Sequence, residues 1–201
     1  MTGTALANPE AESGVGSAII DAVIWAVIIA AAVLLWSIVS FNLLIRDRQR
    51  VAQAWSDVGV QLKRRHDLIP KLVETVKQYS SYEGALLEKV TELRARSLRE
   101  ATPVGSARVE MQMGADLRKL LAVAESYPDL KAAGAFIDLQ RNLTDVETQI
   151  QYARRYYNGT VNNLNTRINT FPDLIIARLF GFRPAEYFNP ELPETSAPAS
   201  S

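Results

Sequence analysis

The chain contains no cysteine, which excludes disulfides and thiolate metal sites and fits a reducing compartment. It has a single histidine, His66, so the Glu-x-x-His pairs of a di-iron bundle, HExxH sites and zinc fingers all lack their ligands. Neither GxxxxGK[ST] nor GxGxxG is present, and no serine sits in a strand–turn–helix nucleophile motif. Lys and Arg are missing from the first 45 residues, and all 22 lie from Arg46 onward. From that point they face 19 acidic residues, a nearly balanced and dispersed charge with no nucleic-acid footprint. No segment alternates apolar and polar residues between turn signals, so strands are not expected.

The chain does possess one long apolar run. Residues 22–45 carry no charge and are bracketed by Asp21 and Arg46. At about 1.5 Å per residue they make a helix of roughly 36 Å, enough to cross a hydrocarbon core of about 30 Å. Trp25 and Trp36 flank its most apolar part, as suits the headgroup level. A cleaved signal peptide needs a basic leader and a shorter core, whereas the preceding segment holds Glu10 and Glu12 and no base. A core helix of a soluble protein would need apolar surroundings that the rest of the chain lacks. Arg46, Arg48 and Arg50 come directly after the run. By the positive-inside rule they place the remainder of the chain in the cytoplasm and the N-terminus outside.

Four regions result: a tail (1–21), a transmembrane helix (22–45), a helical bundle (46–188) and a second tail (189–201). Both tails are rich in small and polar residues, Pro or Gly, and are expected to be disordered. In the bundle, apolar residues recur in steps of three and four. Val51, Trp55, Val58, Leu62 and Ile69 form one stripe, with His66 between its last two members. Pro70 should kink or restart this helix, with Asp67 placed to cap a new start. The pattern then runs from Leu72 to about Arg99, and TPVGS (102–106) is the first convincing turn. A helix from about Ala107 to Glu125 ends at Tyr127-Pro128-Asp129. The last long helix carries a coiled-coil-like seam from Phe136 to Phe171, closed by Pro172. A short amphipathic piece, DLIIARLFGF, stops at Gly181. Helices apolar on one stripe must bury it against one another, so the fold class is all-α: an elongated antiparallel bundle of three to four long helices behind one transmembrane helix.

No catalytic, cofactor-binding or metal residue is assigned, and an enzyme is the least expected reading. His66 reads as a helix residue at the edge of the buried stripe. Lys63, Arg64 and Arg65 read as a solvated face, with a grip on a partner or anionic lipid as the alternative. Asn162, Asn163, Asn165, Asn169 and Arg167 cluster on the polar side of the last helix; they form either a partner surface or a face bonded to an adjoining helix. Asn158-Gly159-Thr160 is a formal glycosylation site inside that helix and reads as chance. Gly159 suggests a close backbone approach.

Three blocks carry a family resemblance: FNLLIRDRQRVAQAWSDVGVQLKRRHDLIPKLVETVKQY (41–79), LLAVAESYPDLKA (120–132) and YARRYYNGTVNNLNTRINTFPDLIIARLFGFRPAEYF (152–188). In order and in their N-terminal anchor they resemble the LemA family of bacterial membrane proteins. Leu164 stands where an aromatic is expected. The resemblance implies an elongated antiparallel helical bundle behind one transmembrane helix in the bacterial inner membrane; it does not imply an activity and offers no catalytic residue to carry over. The expected function is a non-enzymatic scaffold or adaptor that binds proteins, itself included, with no small-molecule substrate. The alternative is a membrane-organising protein in which Phe180, Phe182, Tyr187 and Phe188 bring the domain to the bilayer.

Overall fold

A computed structural model describes residues 9–79 and 84–189, with side chains from Ala22 onward. The disorder expected at 1–8 and 190–201 lies outside the described residues. Among the described residues six helices run in order: α1 (Pro9–Lys77), α2 (Gly84–Ser97), α3 (Pro103–Ala124), α4 (Pro128–Ala132), α5 (Gly134–Asn169) and α6 (Asp173–Leu179). No strand occurs among them, and the fold is all-α.

Helix α1 spans 69 residues, roughly 100 Å, and carries the apolar run and the first bundle helix as one rod. It is the one helix among the described residues that is long and apolar enough to cross a membrane. It starts at Pro9 rather than at the expected boundary near Ala22, because extending a formed helix costs far less than nucleating one. Nor does it break at Pro70. Proline has no N–H for the His66 carbonyl one turn back. Arg94 of α2 supplies the missing donor, its Nε reaching that carbonyl at 2.8 Å. The orphaned acceptor is thereby satisfied from a neighbouring helix, and the rod continues.

The break comes instead after Lys77, where the pattern predicts an unbroken helix to Arg99. Both α1 and α2 bury a stripe of the same period, so the turn at Gln78 and Tyr79 leaves the spacing undisturbed. TPVGS is likewise a helix start rather than a plain turn. Thr102 is the N-cap, its Oγ1 accepting from the Gly105 N–H at 3.1 Å, and Pro103 takes the first helical position. Gly181 (φ +68) comes after α6 as the expected stop.

Contacts in opposed order fix the direction of each helix. Arg94 of α2 returns past the end of α1 to His66, Lys89 and Ser97 of α2 meet Asp116 and Glu110 of α3, and Asp47 and Arg65 of α1 meet Arg167 and Glu147 of α5. α1, α2, α3 and α5 thus alternate in direction around a core that includes Ile69, Leu72, Val90, Met113, Leu120 and Leu143. Nearer the apolar run α1 and α5 pair through Ala54, Val58, Ile150, Tyr157 and Val161, with Ala107 at the start of α3 on the same cluster and the non-helical segment 182–189 on the third side. At the base α6 replaces it, with Leu44, Leu164, Ile168, Ile176 and Ala177 in contact. Phe171, read as the last residue of the seam, is exposed, because α5 ends at Asn169. Gly159 has open space where its Cβ would be, so no close approach explains it.

Candidate functional site

Three polar assemblies and one exposed aromatic patch stand out. The first lies inside the four-helix part. Arg65, a member of the basic run read as a solvated face, is buried, because position 65 falls between Leu62 and Ile69 on the inner side of α1. Its guanidinium pairs with the buried Glu110 carboxylate of α3 and with Glu147 of α5, Nη1 to Oε2 2.8 Å. Nη2 also donates to the Glu110 carbonyl at 3.2 Å. Glu110 further accepts from the Ser97 hydroxyl of α2, and His66 Nε2 lies 2.8 Å from Glu110 Oε1. With the carboxylate as acceptor, the neutral ring carries its proton on Nε2. One acidic side chain therefore ties α1, α2 and α3 together, and Arg65 extends the tie to α5.

Burial works against the charge of Arg65, and Glu147 opposes that effect. His66 is lowered from 6.5 to about 4, by burial first and then by the neighbouring Arg65 and Arg94. Unfolded, the ring takes up its proton below about pH 6.5; folded, only below about 4. Between these values the unfolded chain binds more protons, so His66 should make stability fall as pH drops from 6.5 to 4; its contribution is constant below that, where the carboxyl of Asp116, held below its usual range by Lys89, continues the loss. Because His66 is the sole histidine, its ring resonances are unambiguous, and an NMR titration reads the folded value directly. A midpoint near 6.5 with acid-independent stability would contradict this.

A cleft of about 210 Å³ borders the cluster between α3 and α5, lined in part by Arg65, Arg118, Glu147, Leu117 and Leu143. Its two hydroxyls, Thr144 and Thr148, donate to the carbonyls of Gln140 and Thr144 one turn back. Among the described residues no group of three or more His, Cys, Asp or Glu is placed to hold a metal.

The second assembly resolves the asparagine face. Asn165 takes the Ala185 backbone in both directions: the Ala185 N–H donates to Oδ1 at 2.8 Å and Nδ2 donates to the Ala185 carbonyl at 2.9 Å. Two turns earlier Asn158 does the same for Phe188, at 2.8 and 3.2 Å. Each amide mimics the donor–acceptor pair of a neighbouring strand. Between them Tyr187 donates to Asn162 Oδ1 at 3.3 Å, and Tyr157 donates to the Glu186 carbonyl at 2.7 Å. Burial pushes the Tyr157 hydroxyl up to about 12. The face thus holds a strap of the same chain through Asn158, Asn162 and Asn165, while its Arg167 bonds the adjoining helices α1 and α6. Asn163 remains exposed, and Asn169 donates to the Asn165 carbonyl. Phe188 is buried against Trp55, and Tyr187 packs on the same cluster, so of the aromatics named for bilayer contact these two serve the bundle. Asn158 was concealed within a formal sequon; its two-turn spacing from Asn165 was the available signal.

The third assembly sits at the base. Arg167 pairs with Asp47 of α1 at 2.7 Å and with Asp173 of α6 at 3.0 Å, and the Ser40 hydroxyl donates to Asp173. It locks α6 and α5 onto the end of the apolar run. Last, α5 turns Tyr152 and Tyr156 outward, 58 and 59% exposed and one turn apart, with the Arg155 guanidinium 4.7 Å from the Tyr152 ring centroid.

A sequence model of the LemA family matches residues 54–200. The chain belongs to the LemA family. Other members share its sequence at a lower level. Magnetosome protein MamQ of Magnetospirillum gryphiswaldense is 24% identical over 160 residues, which cover 67% of this chain and 59% of that protein. Protein LemA of Metamycoplasma hominis is 27% identical over 131 residues, covering 65% and 60%. Magnetosome protein MamQ 2 of Paramagnetospirillum magneticum is 24% identical over 159 residues, covering 66% and 58%. The matched region thus spans about six-tenths of each relative's length. The family match covers the strap with Asn158 and Asn165, and also Arg65, His66 and Glu110.

Proposed function

We propose that this LemA-family chain is a non-enzymatic scaffold held in the bacterial inner membrane by residues 22–45, with its N-terminus outside and its bundle in the cytoplasm. The orientation rests on Arg46, Arg48 and Arg50, which are exposed directly after the apolar run. Continuity of α1 makes the attachment stiff, so the bundle is presented at a fixed height above the bilayer.

The observation that carries the reading is the patch at Tyr152, Arg155 and Tyr156. Tyrosine and arginine dominate the energetics of protein interfaces, and here they stand on the outer face of a helix whose other face is locked. Their partner is a protein, with a second copy of the chain as the first candidate. In mild detergent the full-length protein should cross-link to itself or co-purify with a stoichiometric protein. Y152A/Y156A should weaken that association by at least about 10-fold with unchanged helicity. A wild-type protein recovered solely as a monomer, or an association indifferent to both substitutions, would count against the proposal.

A further inference from the structure

The base of the molecule shows an apolar surface that the bundle does not use. α6 turns Ile176 and Ala177 inward against Leu44, Leu164 and Ile168. Its other side, with the residues flanking it, leaves Phe171 75%, Ile175 52%, Leu179 73% and Phe180 58% exposed. Ile175 and Leu179 are four positions apart on one side of α6, and Phe171 comes two residues before the helix starts. A helix so short has little reason to present such a stripe to water.

Its height on α1 is fixed by several independent contacts. The Ser40 hydroxyl bonds Asp173, the Phe41 ring lies 4.8 Å from Phe180 and 5.9 Å from Phe182, and Trp36 packs on the same cluster. α6 is therefore held beside residues 36–44, the last turns of the uncharged run that ends at Ile45. Any bilayer that accepts this run places its boundary beside α6, because about 20 residues suffice for the hydrocarbon core and the rest lies at headgroup level. Exposed arginines stand on the same level or just beyond it: Arg46, Arg48 and Arg50 on α1, Arg178 on α6 and Arg183 after it. An apolar stripe beside basic side chains is the pattern of a helix lying in the interface of an anionic membrane.

We infer that α6 and Phe171 form an interfacial foot, sunk into the headgroup–acyl boundary of an anionic bilayer alongside the membrane span. The foot braces the rod: two points of contact with the bilayer fix the tilt and the rotation of the bundle, where the span alone would leave rotation free. The inference rests on the reading of α1 as a transmembrane helix, and the test separates the two.

Because the chain has no cysteine, single cysteines can be introduced and spin-labelled without a background. Full-length I175C, L179C, L34C and Q140C proteins are reconstituted in vesicles of equal parts phosphatidylcholine and phosphatidylglycerol. Collision of each label with oxygen, which concentrates in lipid, is compared with collision with a water-soluble nickel chelate. The labels at 175 and 179 should favour oxygen several-fold relative to the label at 140, and the label at 34 should do so more strongly still. Labels at 175 and 179 that behave like the one at 140, with 34 in lipid, would overturn the foot and leave the span standing. A water-exposed label at 34 would overturn both. All four positions are exposed, so labelling them leaves the core intact.

Discussion

Replacing Glu110 with alanine should lower the free energy of unfolding by about 3–5 kcal/mol. Among the described residues its carboxylate is the anion that meets Arg65 from within the core, since Glu147 reaches the same guanidinium from a partly exposed position. Its removal leaves Arg65 buried and short of counter-charge, the Ser97 hydroxyl without its acceptor, and the His66 Nε2–H likewise. E110Q keeps the shape and some of the bonds but loses the charge, and should fall between wild type and E110A. The converse substitution separates specificity from stability. R65M/E110M removes both charges and replaces them with apolar groups, and such exchanges are often neutral or stabilising. Urea unfolding of the detergent-solubilised protein, followed by circular dichroism, reads all three variants. An E110A protein as stable as wild type would show that water, not Glu110, balances Arg65.

Truncating Phe188 should free the strap. The ring is buried against Trp55 (centroids 6.0 Å apart), and the Arg154 guanidinium lies 5.8 Å from its centroid. Its burial contributes about 3 kcal/mol, which F188A removes. The remaining contacts are mainly hydrogen bonds that water can replace, so the docked state loses most of its advantage. At about 1.4 kcal/mol per tenfold, the undocked population should rise about 100-fold. The reporters are the amide protons of Ala185 and Phe188, bound to Asn165 and Asn158: their hydrogen exchange should accelerate by that factor, while amides at Val146 and Ile150 keep their protection. N158L and N165L should each release their own end of the strap first. Equal acceleration throughout α5 would mean that the strap and the bundle unfold as one unit.

Glu110 and Phe188 belong to regions of very different legibility from the helices that carry them. The all-α class and the long helices were readable because helix periodicity is a local property, repeated over many turns. His66 could be placed on the edge of the stripe of α1 by the same count. Arg65 is one position away and equally inward, yet the basic run around it favoured a solvated reading. The deciding fact was Glu110, 45 positions along the chain, which no local rule pairs with it. Glu110 itself continues the spacing of Met113 and Leu117, a polar residue at a core position, and that was its one visible mark.

What the sequence by itself determined is the uncharged run of 22–45, its basic flank, the stripes that require a bundle, and the stop at Gly181. These depend on hydrophobicity and backbone preference, which act over a few neighbours. Tertiary structure alone decided the rest. It let α1 pass Pro70, because Arg94 from another helix serves the abandoned His66 carbonyl. It ended α1 at Lys77, where the periodicity ran on undisturbed. It turned an asparagine face into a cradle for the chain's own strap, and it set α6 beside residues 36–44. Each of these joins groups far apart in the chain, and a contact of that kind is specified by where the helices stand rather than by the pattern along any one of them.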